Sequence, residues 1–188
     1  GQWLGADAQD GLDKPSYDLK AMHRNHAFLD DMRQTLTALG FRLQQMDHEE
    51  ARGQYEINYR YHSALQAADH FMLFKMTAHA VAQKHGSVFS CMPKPFANMP
   101  GSGLHFHMSI TDAQGRAVFQ DNSDALQLSA TAYSFVAGLL HHADGLSALC
   151  APTVNSYKRL ACSDSASGTT CSFGAAARAV WSCPPTLM

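Results

Sequence analysis

The sequence predicts an α+β domain, an antiparallel sheet with packed helices, and two features carry that prediction. Three stretches, near 18–39, 64–85 and 123–142, place apolar residues at helical spacing. Between them lie short runs joined by tight turns, so that helices and antiparallel hairpins alternate. The 188 residues, 46% hydrophobic and 16% charged, suffice for one buried core. No repeat or long linker divides them.

Residues 1–16 are polar and Gly/Asp-rich and read as a loop. Asp18 can cap a helix running to about Leu39, with Met22, His26, Leu29, Met32, Leu36 and Leu39 near one face and Gly40 as its stop. Strands are expected at 41–49 and 53–61 around the turn Glu50-Ala51-Arg52-Gly53. Ser63 caps a second helix, 64–85, whose Leu65, Ala68, Met72, Met76 and His79 recur at helical spacing and which Gly86 closes. A short strand at 87–92 leads into the Pro/Gly-rich segment 93–103. Residues 104–111 alternate strictly and turn through Asp112-Ala113-Gln114-Gly115 into 116–119. Ser123 caps a third helix to about His142, ended by Gly145, and Pro152 opens a turn-like cluster, 153–160.

Composition narrows the function. A net charge of -2 gives no electrostatic case for nucleic acid or anionic membrane. No apolar run approaches the ~20 residues that span a bilayer, which reads as a soluble protein. Five cysteines, an odd number without C-x-x-C, point to a reducing, cytoplasmic compartment. Cys91 and Cys150 sit among apolar residues and are expected in the core.

Three constellations could carry chemistry. In Leu104-His105-Phe106-His107-Met108-Ser109-Ile110-Thr111, period two puts His105, His107, Ser109 and Thr111 on one face. That face is either the wet side of a half-exposed strand or a pair of imidazoles serving a metal and an anion. In the hairpin, the turn places Asp47, Glu49, Gln54 and Glu56 on a common face, with Glu49 and Glu56 as diagonal neighbours. Carboxylates so placed repel unless a cation bridges them or a proton is retained, so the face is either an exposed acidic hairpin or a Mg²⁺ or Mn²⁺ site. The cluster Asn155-Ser156-Tyr157-Lys158-Arg159 is either a solvated turn or an anion clamp built on the Arg159 fork. The pairs His23/His26 and His141/His142 read as surface or core-edge residues, and His79 and His85 as packing or capping within their own helix.

Together these segments resemble the glutamine synthetase family. The matches are Asp47-His48-Glu49 with Gly53-Gln54-Tyr55-Glu56, then Ala67-Ala68-Asp69-His70 with Phe74-Lys75, and Lys84-His85-Gly86. Met92-Pro93-Lys94-Pro95-Phe96, Gly101-Ser102-Gly103-Leu104-His105-Phe106-His107-Met108-Ser109 and Pro152-Thr153-Val154-Asn155-Ser156-Tyr157-Lys158-Arg159 follow in family order. The details look most like the branch labelled type III or GlnT-like, some members of which ligate methylamine or other amines.

The resemblance implies ATP-dependent ligation of ammonia to the side-chain carboxylate of L-glutamate through a γ-glutamyl phosphate. A γ-glutamyl-alkylamide synthetase and a non-catalytic assembly module are the alternatives. It implies that Glu49 and Glu56 hold one Mg²⁺ or Mn²⁺ and His105 another, beside ATP. It also implies that His107, Ser109 and the stretch from Tyr59 to Tyr61 contact the nucleotide, and that Gly101 and Arg159 bind glutamate. Asp164 stands nearest the position of the family's catalytic flap acid, and a homo-oligomeric ring is implied. Family members draw further metal ligands from an E-x-E strand and complete a neighbouring subunit's active site with a small N-terminal domain, neither of which is seen before residue 17. Residues 1–170 therefore read as a partial catalytic domain, inactive alone, and 171–188 as an atypical tail from a frameshift or truncation. An arginine-containing family strand in another reading frame of the coding DNA would bear out the frameshift.

Overall fold

The computed structural model describes residues 16–161, together with Gln9 and the pair Thr186–Leu187. Asp164, Cys162, Cys171, Cys183 and nearly all of the expected atypical tail lie outside the described residues. The expected first helix is two. Helix α1 (Leu19–Arg24) starts at Asp18, whose carboxylate accepts the Lys20 N–H at 2.9 Å. It stops at Asn25, which leaves helical geometry at ψ 14° and bonds back to the Ala21 carbonyl at 3.1 Å. Helix α2 (His26–Ala38) follows and buries Leu29, Met32 and Leu36, whereas His26 faces solvent.

Strands β1 (Leu43–His48) and β2 (Tyr55–Tyr59) form the expected hairpin. Gly53, at φ 69°, supplies the left-handed residue of its turn, a conformation costly for any side chain with a Cβ. Helix α3 (Ala64–Lys84) matches the expected span but presents a different face. Phe74, Thr77, Ala78, Val81 and Ala82 are buried, while Leu65, Met72 and Met76 are exposed. His85 caps α3 as expected, its N–H on the Val81 and Ala82 carbonyls, while its Nε2 lies 2.7 Å from Asp31; His79 packs outward on Phe89. Lys84 reaches the same Asp31 oxygen, so Lys84 and then His85 hold the Asp31 carboxyl below its ordinary range.

Residues 87–92 form no strand, and β3 is only Leu104–His105. Residues 106–110 have no ladder partner among the described residues, so Phe106, Met108 and Ile110 stay exposed. Pairing resumes at a single bridge, Thr111 to Ala117. The third helix starts later than expected. Asp121 and Asp124 engage the backbone of 123–128 in local turns, and α4 (Ala130–His141) is capped by Ser129, whose hydroxyl accepts from Ala132 N–H. Gly145 lies inside α5 (Ala143–Cys150) instead of ending a helix. The 153–160 cluster forms helix α6 (Val154–Ala161), opened by Thr153, whose hydroxyl accepts the Ser156 N–H. Cys91 and Cys150 are exposed, because the segments carrying them lie over the surface of the core.

Strand β4 (Thr186–Leu187) completes a four-stranded antiparallel sheet of order β1-β2-β4-β3. Helices α2 and α3 cover one of its faces, and Met32, Leu36, Phe41, Ile57, Tyr59, Phe74, Ala78 and Val81 form the core. Leu36 is fully buried there. Leu36→Ala is expected to cost about 2–5 kcal/mol of stability in denaturant unfolding, the range for a large side chain lost from a packed core.

Candidate active site

The hairpin register decides which side chains share a face. Asp47 pairs with Glu56 and His48 with Tyr55, and the Glu49 N–H donates to the Gln54 carbonyl at 2.9 Å. Paired residues point the same way and neighbours alternate, so Asp47, Glu49, Gln54, Glu56 and Asn58 occupy the face away from the core. His48, Ile57 and Tyr59 take the buried face. The carboxyl groups of Glu49 and Glu56 are hydrogen-bonded to one another. Burial first, and the Glu56 carboxyl second, push the Glu49 pKa up to about 7 from 4.5. Burial also raises Asp47, and the Asn58 amide donates to Glu56 Oε1 at 2.9 Å.

This pair makes a pH prediction. The folded chain holds a proton on Glu49 up to about pH 7, whereas the unfolded chain releases it near 4.5. The contribution to stability is therefore complete below pH 4.5 and is lost as pH rises to about 7. Thermal midpoints are expected to fall across that window. In Glu56→Gln the amide can donate to an ionised Glu49, so the slope flattens; an unchanged slope would contradict the shared proton.

Strand order brings His105 to the same face. Asn58 and His105 both pair with Thr186, so His105 stands level with Asn58 across the intervening β4. Two inter-strand steps separate β2 from β3 by about 10 Å. Leu104 takes the opposite face and packs against the core. Glu49, Glu56 and His105 therefore lie on one sheet face. Among the described residues no three His, Cys, Asp or Glu side chains gather as a metal site. The acidic pair and the imidazole are neighbours on a sheet face, set apart by a strand.

Arg159 comes from α6 and lies along the Gly-rich segment. A Cβ at Gly101 would meet Arg159 Cγ at 3.1 Å and collide with the Pro93 carbonyl. A Cβ at Gly103 would lie 2.7 Å from Arg159 Nη2 and 3.9 Å from His105 Nε2. The arginine stem thus crosses Gly101, and its guanidinium sits over Gly103 beside His105. Burial lowers the Arg159 pKa, and no acceptor among the described residues engages its guanidinium. The hairpin is tied to this segment by Gln54, whose amide donates to the Gly101 carbonyl at 3.2 Å and to the Ser102 hydroxyl at 3.3 Å. One continuous surface therefore runs from the carboxylate pair through Gln54 and the glycines to His105 and Arg159. It joins a cation-seeking end to an anion-seeking end.

A family model for the glutamine synthetase catalytic domain matches residues 5–182. The chain belongs to the glutamine synthetase catalytic-domain family. It is 50% identical over 172 residues to a glutamate–methylamine ligase of Methyloversatilis universalis, covering 90% of this chain and 39% of that protein. It is 48% identical over 126 residues to a glutamine synthetase of Halobacterium salinarum, covering 67% of this chain and 28% of the relative. Among solved structures, "Apo GmaS without ligand" superposes with a TM-score of 0.79 at 44% identity, over 82% of this chain and 36% of that one. "GmaS/ADP complex-Conformation 1" gives 0.80 at 42% identity, over 86% and 37%. The chain thus spans less than two fifths of the length of these relatives.

Against the expectations drawn from the glutamine synthetase resemblance, Gly101 and Arg159 lie together, and Glu49 and Glu56 touch. Tyr59 is 2% exposed and T-stacked on Phe41, so its ring is committed to the core and is not available to a nucleotide. Tyr61 and Ser109 are exposed and His107 half-buried. Two contributors escaped the sequence reading. Tyr17 sits at φ 61° with its N–H on the His48 carbonyl at 2.8 Å, and its phenol feels Glu49, so its pKa is raised. Only the backbone geometry reveals it. For Asn155 it is the role that sequence does not show: it stands in the 155–159 cluster, yet its side chain bonds the backbone of Lys94. A cavity of about 310 Å³ lies between α2, α3, the hairpin turn and the 87–102 segment, and Gln54 and Ser102 stand in its wall. Phe28, Met32, Ile57 and Phe74 line it, and Glu49, Glu56, His105 and Arg159 do not.

Proposed function

We propose that this chain supplies the cation-holding and carboxylate-holding surface of an ATP-dependent ligase that joins an amine to the side-chain carboxylate of L-glutamate through a γ-glutamyl phosphate. The observation that carries this reading is the Glu49–Glu56 pair on one hairpin face, where burial first and the neighbouring carboxyl second keep a proton on Glu49 to about pH 7. A hard divalent cation replaces such a proton and accepts oxygen ligands of this kind, so the residues fit Mg²⁺ or Mn²⁺. When bound, the ion would neutralise charge on phosphate oxygens during phosphoryl transfer. Glu49 and Glu56 would hold it, with Asn58 orienting Glu56. His105 would serve a second ion next to them, and His107 and Ser109 the nucleotide. Arg159, half-buried and without an acceptor among the described residues, would clamp the glutamate carboxylate against the Gly101 backbone. Asp164 is proposed as the flap acid.

The glutamate–methylamine ligase, similar over nine tenths of this chain, favours a small alkylamine as the acceptor. The glutamine synthetase match over two thirds of it supports ammonia as the second reading. A protein carrying this sequence within the full family length, given L-glutamate, MgATP and equal methylamine and ammonium, should release γ-glutamyl-methylamide faster than glutamine. Faster glutamine formation would select ammonia, and release of neither amide would overturn the ligase reading.

A further inference from the structure

We infer that Asn155 is a positioning residue for Arg159, acting through the backbone of Lys94. Asn155 and Arg159 are four residues apart on α6 and so share one helix face. The Asn155 side chain makes two reciprocal bonds across 61 positions of sequence: its Oδ1 accepts the Lys94 N–H at 2.8 Å, and its Nδ2 donates to the Lys94 carbonyl at 2.8 Å. A side-chain amide matches a backbone amide at both ends in this way, and no other side chain of its size carries a donor and an acceptor so placed.

Lys94 is itself an anchored point. It is 5% exposed, and its ammonium group donates to the Met99 carbonyl at 2.6 Å, closing the 94–99 loop. From there the Ser102 N–H returns to the Pro93 carbonyl at 2.9 Å, which sets the path of Gly101 and Gly103. The clip therefore fixes α6 against the very segment that Arg159 crosses. Arg159 has no acceptor among the described residues, so its place over the glycines depends on where α6 is held and on the absence of Cβ atoms beneath it. The buried ammonium of Lys94, bonded to a loop carbonyl, is part of this scaffold.

The inference rests on the reading of Arg159 as the carboxylate clamp, and the test separates the two. The rate at which phenylglyoxal modifies Arg159 in this chain, followed by peptide mass spectrometry, reports its setting without any substrate. Asn155→Ala is expected to raise that rate about tenfold, the effect of losing two hydrogen bonds, with Arg24, Arg33 and Arg116 unchanged as internal references. Asn155→Asp keeps an acceptor for the Lys94 N–H and should fall between. An unchanged Arg159 rate, or a rise shared by all arginines, would overturn the positioning role. Calorimetric titration with L-glutamate then tests the clamp. Losses of affinity in Asn155→Ala and Arg159→Ala should be less than additive in the double variant, because both act through one guanidinium. Additive losses would count against the positioning role. An unmodified chain that does not bind L-glutamate would count against the clamp and leave the modification result to decide the rest.

Discussion

Glu56→Gln is expected to abolish stabilisation of this chain by Mn²⁺ and to lower the rate of a full-length ligase by about two to three powers of ten, the loss typical of one electrostatic contact to a developing charge. The substitution keeps the shape of the side chain and removes one negative charge from a face that Asp47, Glu49 and Glu56 share. Hydrogen bonding survives, since an amide can donate to Glu49, but a cation then meets one carboxylate where it met two. Glu49→Gln should behave alike. Asp47→Asn should do less, because the Gln45 amide already engages the Asp47 carboxylate. Thermal midpoints with and without Mn²⁺ above pH 7, where Glu49 is ionised, provide the check. Equal Mn²⁺ shifts in the parent chain and Glu56→Gln would remove the pair from metal binding.

Gly101→Ala is expected to cost about 3 kcal/mol of stability, at the upper end for forcing a carbon into an occupied space. The new carbon would collide with the Pro93 carbonyl oxygen, a backbone atom that also accepts the Ser102 N–H. Neither can yield without opening the 93–102 loop, and the Gln54 bond to Gly101 would go with it. Gly103→Ala crowds the far end of Arg159, which can swing away, and makes only ordinary contact with His105. That variant should keep its stability and lose affinity for L-glutamate. Urea unfolding and glutamate titration of both variants separate the effects, and a Gly101→Ala chain as stable as the parent would show that the loop is soft.

The hairpin was legible because its signals agree. A four-residue turn with Gly53 at positive φ sets the register, and period two then assigns every side chain to a face. Helix α3 was legible in length but not in orientation. Both Leu65-Met72-Met76 and Phe74-Ala78-Val81 are apolar stripes, and periodicity alone cannot choose which one meets the sheet. The alternation of 104–111 promised a long strand, yet a strand needs a partner. The partner of Leu104–His105 is Thr186–Leu187, more than eighty residues away, and it extends no further among the described residues. Ser123 and Ser129 are both acceptable helix caps. The bonds that Asp121 and Asp124 make to nearby backbone chose the later one. The site divides along the same line. Carboxylates two and seven residues apart on one ribbon could be placed from spacing. The meeting of Arg159 with Gly101 and Gly103 came only through family likeness, and the Asn155 clip to Lys94 left no mark that local pattern could read.

Paramagnetic broadening by substoichiometric Mn²⁺ tests the central claim most directly. In spectra of the isotopically labelled chain above pH 7, signals from Glu49 and Glu56 should vanish first and His105 next, with Leu36 and Ala78 on the far side of the sheet unaffected. Broadening that begins elsewhere and spares Glu49 and Glu56 would show that this face holds no cation, and the proposed chemistry would fall with it.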